Sequence, residues 1–218
     1  MKLRFSMIAT ALSLLAGAQA AQAADISIKW EGNAAEAGVA LQAYDLTLSA
    51  TEAVFDDYAL QLKYSDLTSG SSFAAFCIEP LAGNSVLAST YSVSSFSGAE
   101  ATHLAALYQT SFSSSMNATQ QAAFQLAVWE FTQEASTFGT QTGTFRSTGP
   151  SAVTTLADSY VAAALGYTGT SSYKITKLTS ADYQDLVVAA PVPEPESYAL
   201  FLAGLGAIGL IARRRLPR

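Results

Sequence analysis

The run Asn117-Ala118-Thr119-Gln120-Gln121-Ala122-Ala123-Phe124-Gln125-Leu126-Ala127-Val128-Trp129-Glu130-Phe131 decides how the rest of the chain is organised. Phe124, Val128 and Phe131 recur at i, i+4 and i+7, which puts them on one face of a helix. Asn117 or Thr119 can cap its start, because a short side-chain oxygen satisfies one of the first N–H groups a helix leaves without a partner. Residues 116–135 are therefore read as the best helix of the chain. From Ala122 to Phe131, Gln125 is the only uncharged polar side chain. A helix apolar on most of its sides belongs inside a core, so other elements must cover it.

Those elements are found on both sides. Upstream, Ile26, Ile28 and Trp30 alternate with polar neighbours in Asp25–Trp30, the pattern of a strand with one buried face. Residues 39–48, 53–64, 72–79 and 90–96 have the Thr, Tyr, Val and Phe enrichment of further strands. At Gly98 the character changes: Leu104, Leu107 and Tyr108 fall on one helical stripe within 99–108, and a weaker helix covers 151–165. Residues 172–178 and 183–189 return to strand composition. The order predicts an α+β fold, a β-rich domain with a helical segment inserted at about 99–165.

Both ends of the chain read as addressing segments. Lys2 and Arg4 precede an apolar run from Phe5 to Ala18, followed by the small-residue sites Ala18-Gln19-Ala20 and Ala21-Gln22-Ala23. This is the order of a secretory signal peptide, residues 1–23, with signal peptidase cutting after Ala23 or else Ala20. The other assignment, a membrane anchor, is disfavoured because the run is shorter than the ~20 residues a spanning helix needs. At the far end, Val192-Pro193-Glu194-Pro195-Glu196 leads into a nearly continuous apolar stretch, Ser197–Ala212, and then Arg213-Arg214-Arg215. Basic residues after an apolar helix resist translocation and stop transfer with the domain outside. Residues 191–218 closely resemble the PEP-CTERM sorting signal of Gram-negative bacteria. The resemblance implies that the C-terminal hydrophobic helix holds the chain in the membrane until a membrane-embedded exosortase processes it near Pro193-Glu194-Pro195. The remaining expectation is one extracellular domain at 24–190, flanked by an N-terminal signal helix and this C-terminal helix, and destined for the cell surface or a biofilm matrix.

Six of the eleven basic residues (Lys2, Arg4, Arg213, Arg214, Arg215, Arg218) but only two of the seventeen acidic ones (Glu194, Glu196) lie in those ends. The part between them keeps five basic and fifteen acidic side chains, a net of −10. Nucleic-acid binding depends on Lys and Arg neutralising phosphates, so that function is excluded. One His, one Cys and scattered carboxylates offer no metal-ligand spacing, and no glycine-rich loop precedes a helix to cradle a phosphate. No cofactor is implied.

Two residues can carry chemistry. Cys77, in Phe76-Cys77-Ile78-Glu79, is the single cysteine and so makes no intramolecular disulfide in an oxidising compartment. Taken alone it reads as a small buried hydrophobe. Gln125 either sits on a narrow polar seam with Gln121 or is buried with its carboxamide bonded to a neighbouring strand. Together, Phe76-Cys77-Ile78-Glu79 and Gln125-Leu126-Ala127-Val128-Trp129-Glu130 resemble the paired motifs of thioester domains in bacterial surface adhesins. There, a cysteine after an aromatic residue condenses with the glutamine of a Thr-Gln-x-Ala-(Ile/Val)-Trp motif and ammonia is lost. The resemblance spans about residues 72–134 and implies that Cys77 supplies the sulfur and Gln125 the acyl group. Phe124 stands where the motif has Thr, so nothing is carried over for a Thr hydroxyl.

Thiolate attack on an amide is unfavourable in water. Packing the two groups inside the domain supplies proximity and excludes water, which makes the transfer feasible. Trp129, one turn after Gln125, and Phe76 are placed to shield the bond. The product would be a stored electrophile, opened once by an amine or hydroxyl of a surface protein or polysaccharide, and thus a single-turnover covalent binder rather than an enzyme. Two rivals use the same residues: a cysteine hydrolase with His103, the only histidine, as base, and a matrix protein with no covalent chemistry. No motif marks an Asn or Asp to orient His103.

Overall fold

The computed structural model describes residues 25–33, 39–45, 53–192, 203–205 and 208. The signal peptide 1–23, the Pro193-Glu194-Pro195 motif and the Arg213-Arg214-Arg215 cluster lie outside the described residues. So does most of the expected C-terminal apolar helix. Among the described residues, no helix is long and apolar enough to cross a membrane.

Six antiparallel strands close a barrel in the order β1 (Asp25–Asn33), β4 (Leu62–Asp66), β5 (Ser72–Cys77), β9 (Leu186–Pro191), β8 (Tyr173–Thr179), β6 (Ser89–Ser94) and back to β1. The alternation read at Ile26, Ile28 and Trp30 is the inward face of β1. Ile28, Leu62, Tyr64, Ala75, Tyr91, Leu178 and Leu186 fill the barrel interior. Two excursions leave it. One is the hairpin of β2 (Val39–Asp45) and β3 (Ala53–Ala59), inserted between β1 and β4. The other, inserted between β6 and β8, holds α1 (Gly98–Ser111), α2 (Ala118–Gln133), β7 (Phe145–Thr148) and α3 (Ser151–Leu165). The excursions meet where β7 pairs with β2, completing a small sheet β3-β2-β7. The fold is α+β, as the element order predicts.

Two details correct the sequence reading. Residues 53–64 are two strands, not one: β3 belongs to the small sheet and β4 to the barrel, and the chain changes sheet at Leu60-Gln61. The Gln61 N–H, lost to any ladder there, donates to Gln121 Oε1 at 3.4 Å. The inserted segment is not purely helical, because β7 interrupts it. Three carboxylates, from α2, the residue just after it and α3, organise the loop before β7. Glu130 accepts from Gly139 N–H (2.8 Å), Asp158 from Thr140 N–H (2.7 Å), and Glu134 from Thr144 Oγ1 (3.0 Å) and Phe145 N–H.

The helix that decides the organisation is the centre of the molecule. Every residue of α2 from Gln121 to Phe131 is buried. Its start is a capping box: Asn117 Oδ1 accepts from Gln120 N–H, and Gln120 Oε1 accepts from Asn117 N–H, both at 2.9 Å. One side of α2 packs with α1, α3 and the outer face of the barrel through Phe124, Val128 and Phe131. The other packs Ala122, Ala123, Leu126 and Trp129 against Ala59, Cys77 and Phe145.

Candidate functional site

Gln125 is seated on Cys77. Along β5 the ladder to β4 runs from Ser72↔Ser65 to Ala75↔Leu62 and stops, because β4 begins at Leu62. On its other edge β5 continues, with Phe76↔Val187 and Cys77↔Leu186, and Ile78 N–H donates to Asp185 O (3.0 Å). The Cys77 main-chain groups thus face the edge that β4 has left. The Gln125 carboxamide takes the vacated place: Cys77 N–H donates to Gln125 Oε1 at 3.0 Å, and Gln125 Nε2 donates to Cys77 O at 2.7 Å. A donor and an acceptor on the same residue require this amide orientation, since the reverse would oppose N–H to N–H and oxygen to oxygen. Cys77 is 4% exposed and Gln125 1%. Both alternatives for Gln125 therefore meet, in a row with the buried Gln121 and the half-buried Gln133. Gln121 Nε2 donates to Met116 O (3.0 Å), and Gln133 Nε2 donates to Ile78 O (2.7 Å).

Strand alternation separates Phe76 from Cys77. Cys77 shares the inward face with Phe73 and Ala75, opposite Tyr64 and Leu62. Phe76 points outward to the helices, where its ring lies 4.7 Å from Phe124 and 6.4 Å from Tyr108. It steadies the seat of α2 and does not line the space at the cysteine. Trp129 does: it is buried, edge-on to Phe145 at 6.2 Å, and shares a cavity wall with Cys77 and Gln125. Phe124, at the motif's Thr position, sits in the aromatic cluster on the opposite side of α2. His103, the base of the hydrolase alternative, packs against Phe131 (5.0 Å) and Phe138 (5.2 Å) and is not among the described residues that line the cavity at Cys77.

The cavity, about 580 Å³, occupies one end of the barrel. Asn33 ends β1, Leu62 begins β4, Cys77 ends β5, and Gln184 precedes β9, so four strands open onto it. A β-bulge shapes its wall. The register of β1 against β4 slips between Trp30 and Gly32, and Gly32, at φ +112, takes the conformation that side-chain-bearing residues resist. Trp30 pairs with Tyr64 before the slip and faces inward by ordinary alternation, while the slip pairs Asn33 with Leu62 and turns Asn33 to the same inward face. The segment Pro80–Val86 forms the outer wall. Trp30, Asn84 and Gln184 were not singled out from the sequence, for no motif marks them. Only the β1 alternation hinted that Trp30 faces inward.

Burial pushes the Tyr64 hydroxyl well above its usual range. It pushes Tyr91 up to about 12, with the Asp185 and Cys77 charges adding. Both hydroxyls stay neutral at physiological pH within electrostatic reach of the sulfur. Among the described residues no group of three or more His, Cys, Asp or Glu could hold a metal ion.

Chemically, the arrangement presents an amide carbonyl to a cysteine, with both residues almost fully buried. It also aims a backbone N–H at the oxygen where negative charge gathers when that carbonyl is attacked. No curated protein and no solved structure matches the chain. Residues 191–215 match the PEP-CTERM protein-sorting motif, which supports an exported protein sorted by exosortase.

Proposed function

We propose that this exported protein stores an internal thioester between Cys77 and Gln125 and spends it once, in covalent attachment to a nucleophile at the cell surface or in the matrix. The observation that carries this reading is the two-point docking of the Gln125 carboxamide on the Cys77 main chain, at 3.0 and 2.7 Å, inside a wall shielded by Trp129. Cys77 Sγ adds to Gln125 Cδ while Cys77 N–H holds the oxygen. The C–N bond breaks, and the departing nitrogen takes the thiol proton and leaves as ammonia. An incoming amine or hydroxyl then displaces the sulfur, giving an amide or ester on Gln125 and returning Cys77 as a thiol. Each molecule reacts once, so the protein is a single-use binder and not a turnover enzyme. Signal peptidase and exosortase act on its ends, the second after the C-terminal helix has held it in the membrane.

The test is the intact mass of the purified mature protein beside Cys77→Ala. A deficit of one ammonia in the native protein alone, and a gain of one methylamine after methylamine treatment, supports the bond. Masses that agree with the sequence throughout leave Gln125 a structural glutamine in an acidic, non-covalent coat protein.

A further inference from the structure

We infer that the barrel-end cavity binds a neutral carbohydrate segment and presents one of its hydroxyls to the Gln125 acyl carbon, an inference that rests on the thioester reading above. Three residues that line the cavity carry buried N–H donors with no acceptor among the described residues: Trp30 Nε1, Asn84 Nδ2 and Trp129 Nε1. Trp129 is 1% exposed, so its donor is held unpaired inside the wall that it shares with Cys77 and Gln125. Asn84 is oriented from behind, since Tyr64 donates its hydroxyl to Asn84 Oδ1 at 2.6 Å and leaves Nδ2 as the unused end. Buried donors are ordinarily paired, and three around one cavity ask for a ligand rich in acceptor oxygens. The cavity volume falls in the range of small-molecule sites, roughly 300–1,000 Å³.

The wall also says what the ligand is not. Among the described residues, no Lys, Arg, Asp or Glu lines the cavity. A phosphate or carboxylate finds no counter-charge there and is repelled by the acidic domain. An ammonium group finds no carboxylate and faces three N–H groups of its own polarity. A sugar suits each feature, with hydroxyl oxygens for the donors, C–H faces for the two indoles, and no charge to desolvate. The sugar hydroxyl adds to Gln125 Cδ, the C–S bond breaks with its electron pair going to Cys77 Sγ, and the hydroxyl proton ends on that sulfur. The products are a Gln125 ester and the Cys77 thiol.

Cys77→Ala separates the sugar site from the thioester, because it keeps the cavity and removes the reaction. The labelled variant is applied to an array of neutral gluco-, galacto-, manno- and N-acetylglucosamine-based oligosaccharides, with anionic glycans alongside. The best ligand is then titrated by tryptophan fluorescence. Binding to neutral chains is expected. Trp30→Phe and Asn84→Leu, each placed in the Cys77→Ala protein and checked for an unchanged thermal melt, should weaken it about tenfold per lost hydrogen bond. The native protein should gain the mass of the same oligosaccharide at Gln125. No binding to any neutral glycan, or capture of Nα-acetyl-lysine in preference to the sugars, overturns the inference even where the native mass shows the thioester. Glycan binding by Cys77→Ala with no ammonia deficit in the native protein sinks the thioester and its ester step while the sugar site stands.

Discussion

Gln125 is worth the most attention at the scale of single residues, because its two hydrogen bonds satisfy a strand edge that no strand covers. Removing the carboxamide takes away the bonds it makes to the buried Cys77 N–H and C=O, at about 1–3 kcal/mol for each. The comparison that isolates this cost is Cys77→Ala against Cys77→Ala with Gln125→Leu, since neither can form the bond. The double variant should be less stable by about 2–4 kcal/mol in urea unfolding, with an unchanged m-value. Equal midpoints would mean that the carboxamide does not dock as described. Glu130 gives a second prediction. One of its oxygens accepts from Gly139 N–H and the other has no partner. Burial, and then the Glu134 and Asp158 charges, push this carboxyl up to about 8, against the Gly139 bond that favours its ionised form. The ordinary value is 4.5, so between about 4.5 and 8 the folded state binds more protons than the unfolded state. Stability therefore falls as pH rises through that window, by up to ~1.4 kcal/mol per unit, and is level outside it. Glu130→Gln keeps an oxygen for Gly139 and loses the titration. Its melting temperature should gain on the native protein's steadily from pH 5 to 8; parallel curves would contradict the assignment.

Elements differ in how far their causes lie within their own residues. α2 was legible because its apolar repeat and its Asn117 cap are local, and α3 was read at 151–165, the bounds it has. The break between β3 and β4 was not, for Leu60-Gln61 contains no Gly, Pro or Asn to announce a turn. Just past the end of β3 the Gln61 N–H donates to Gln121 Oε1, sixty residues away. β7 escaped for the same reason: Phe-Arg-Ser-Thr is short and unpatterned, and carboxylates on α2 and α3 shape the loop that delivers it to β2. The cap of α2 offers a test at this scale. Asn117→Ala removes the half of the capping box that its own side chain makes and should cost about 1 kcal/mol, a fall of roughly 2–4 °C in melting temperature for a chain of this size. Asn117→Ser keeps a capping oxygen and should recover most of the loss. If Ala and Ser behave alike, the packing of 121–131 alone holds the helix entrance.

Across the whole molecule, Cys77 and Gln125 stand where the barrel meets the helical lobe. Cys77 is the last residue of a barrel strand, Gln125 is in the middle of the lobe's central helix, and 48 positions of chain separate them. Their meeting could be read from two short motifs. The cavity beside them could not, because its walls come from β1, the start of β4, the Pro80–Val86 segment and α2, and a one-residue bulge decides which way Asn33 faces. A covalent bond at this junction restricts the unfolded chain in the manner of a disulfide. For a loop of this length the chain-entropy relation gives about 4 kcal/mol, or on the order of 10 °C in melting temperature. Methylamine cuts the bond without changing any other residue, and it replaces the acyl sulfur with an amide close to the original glutamine. Calorimetry on the native protein before and after methylamine should therefore show a loss of that size. Treated protein should melt near Cys77→Ala, and methylamine should leave the variant's own melt unmoved. A native protein whose mass reports the thioester but whose melt ignores its cleavage would show that barrel and lobe are already joined as firmly by packing, and that the bond serves attachment alone.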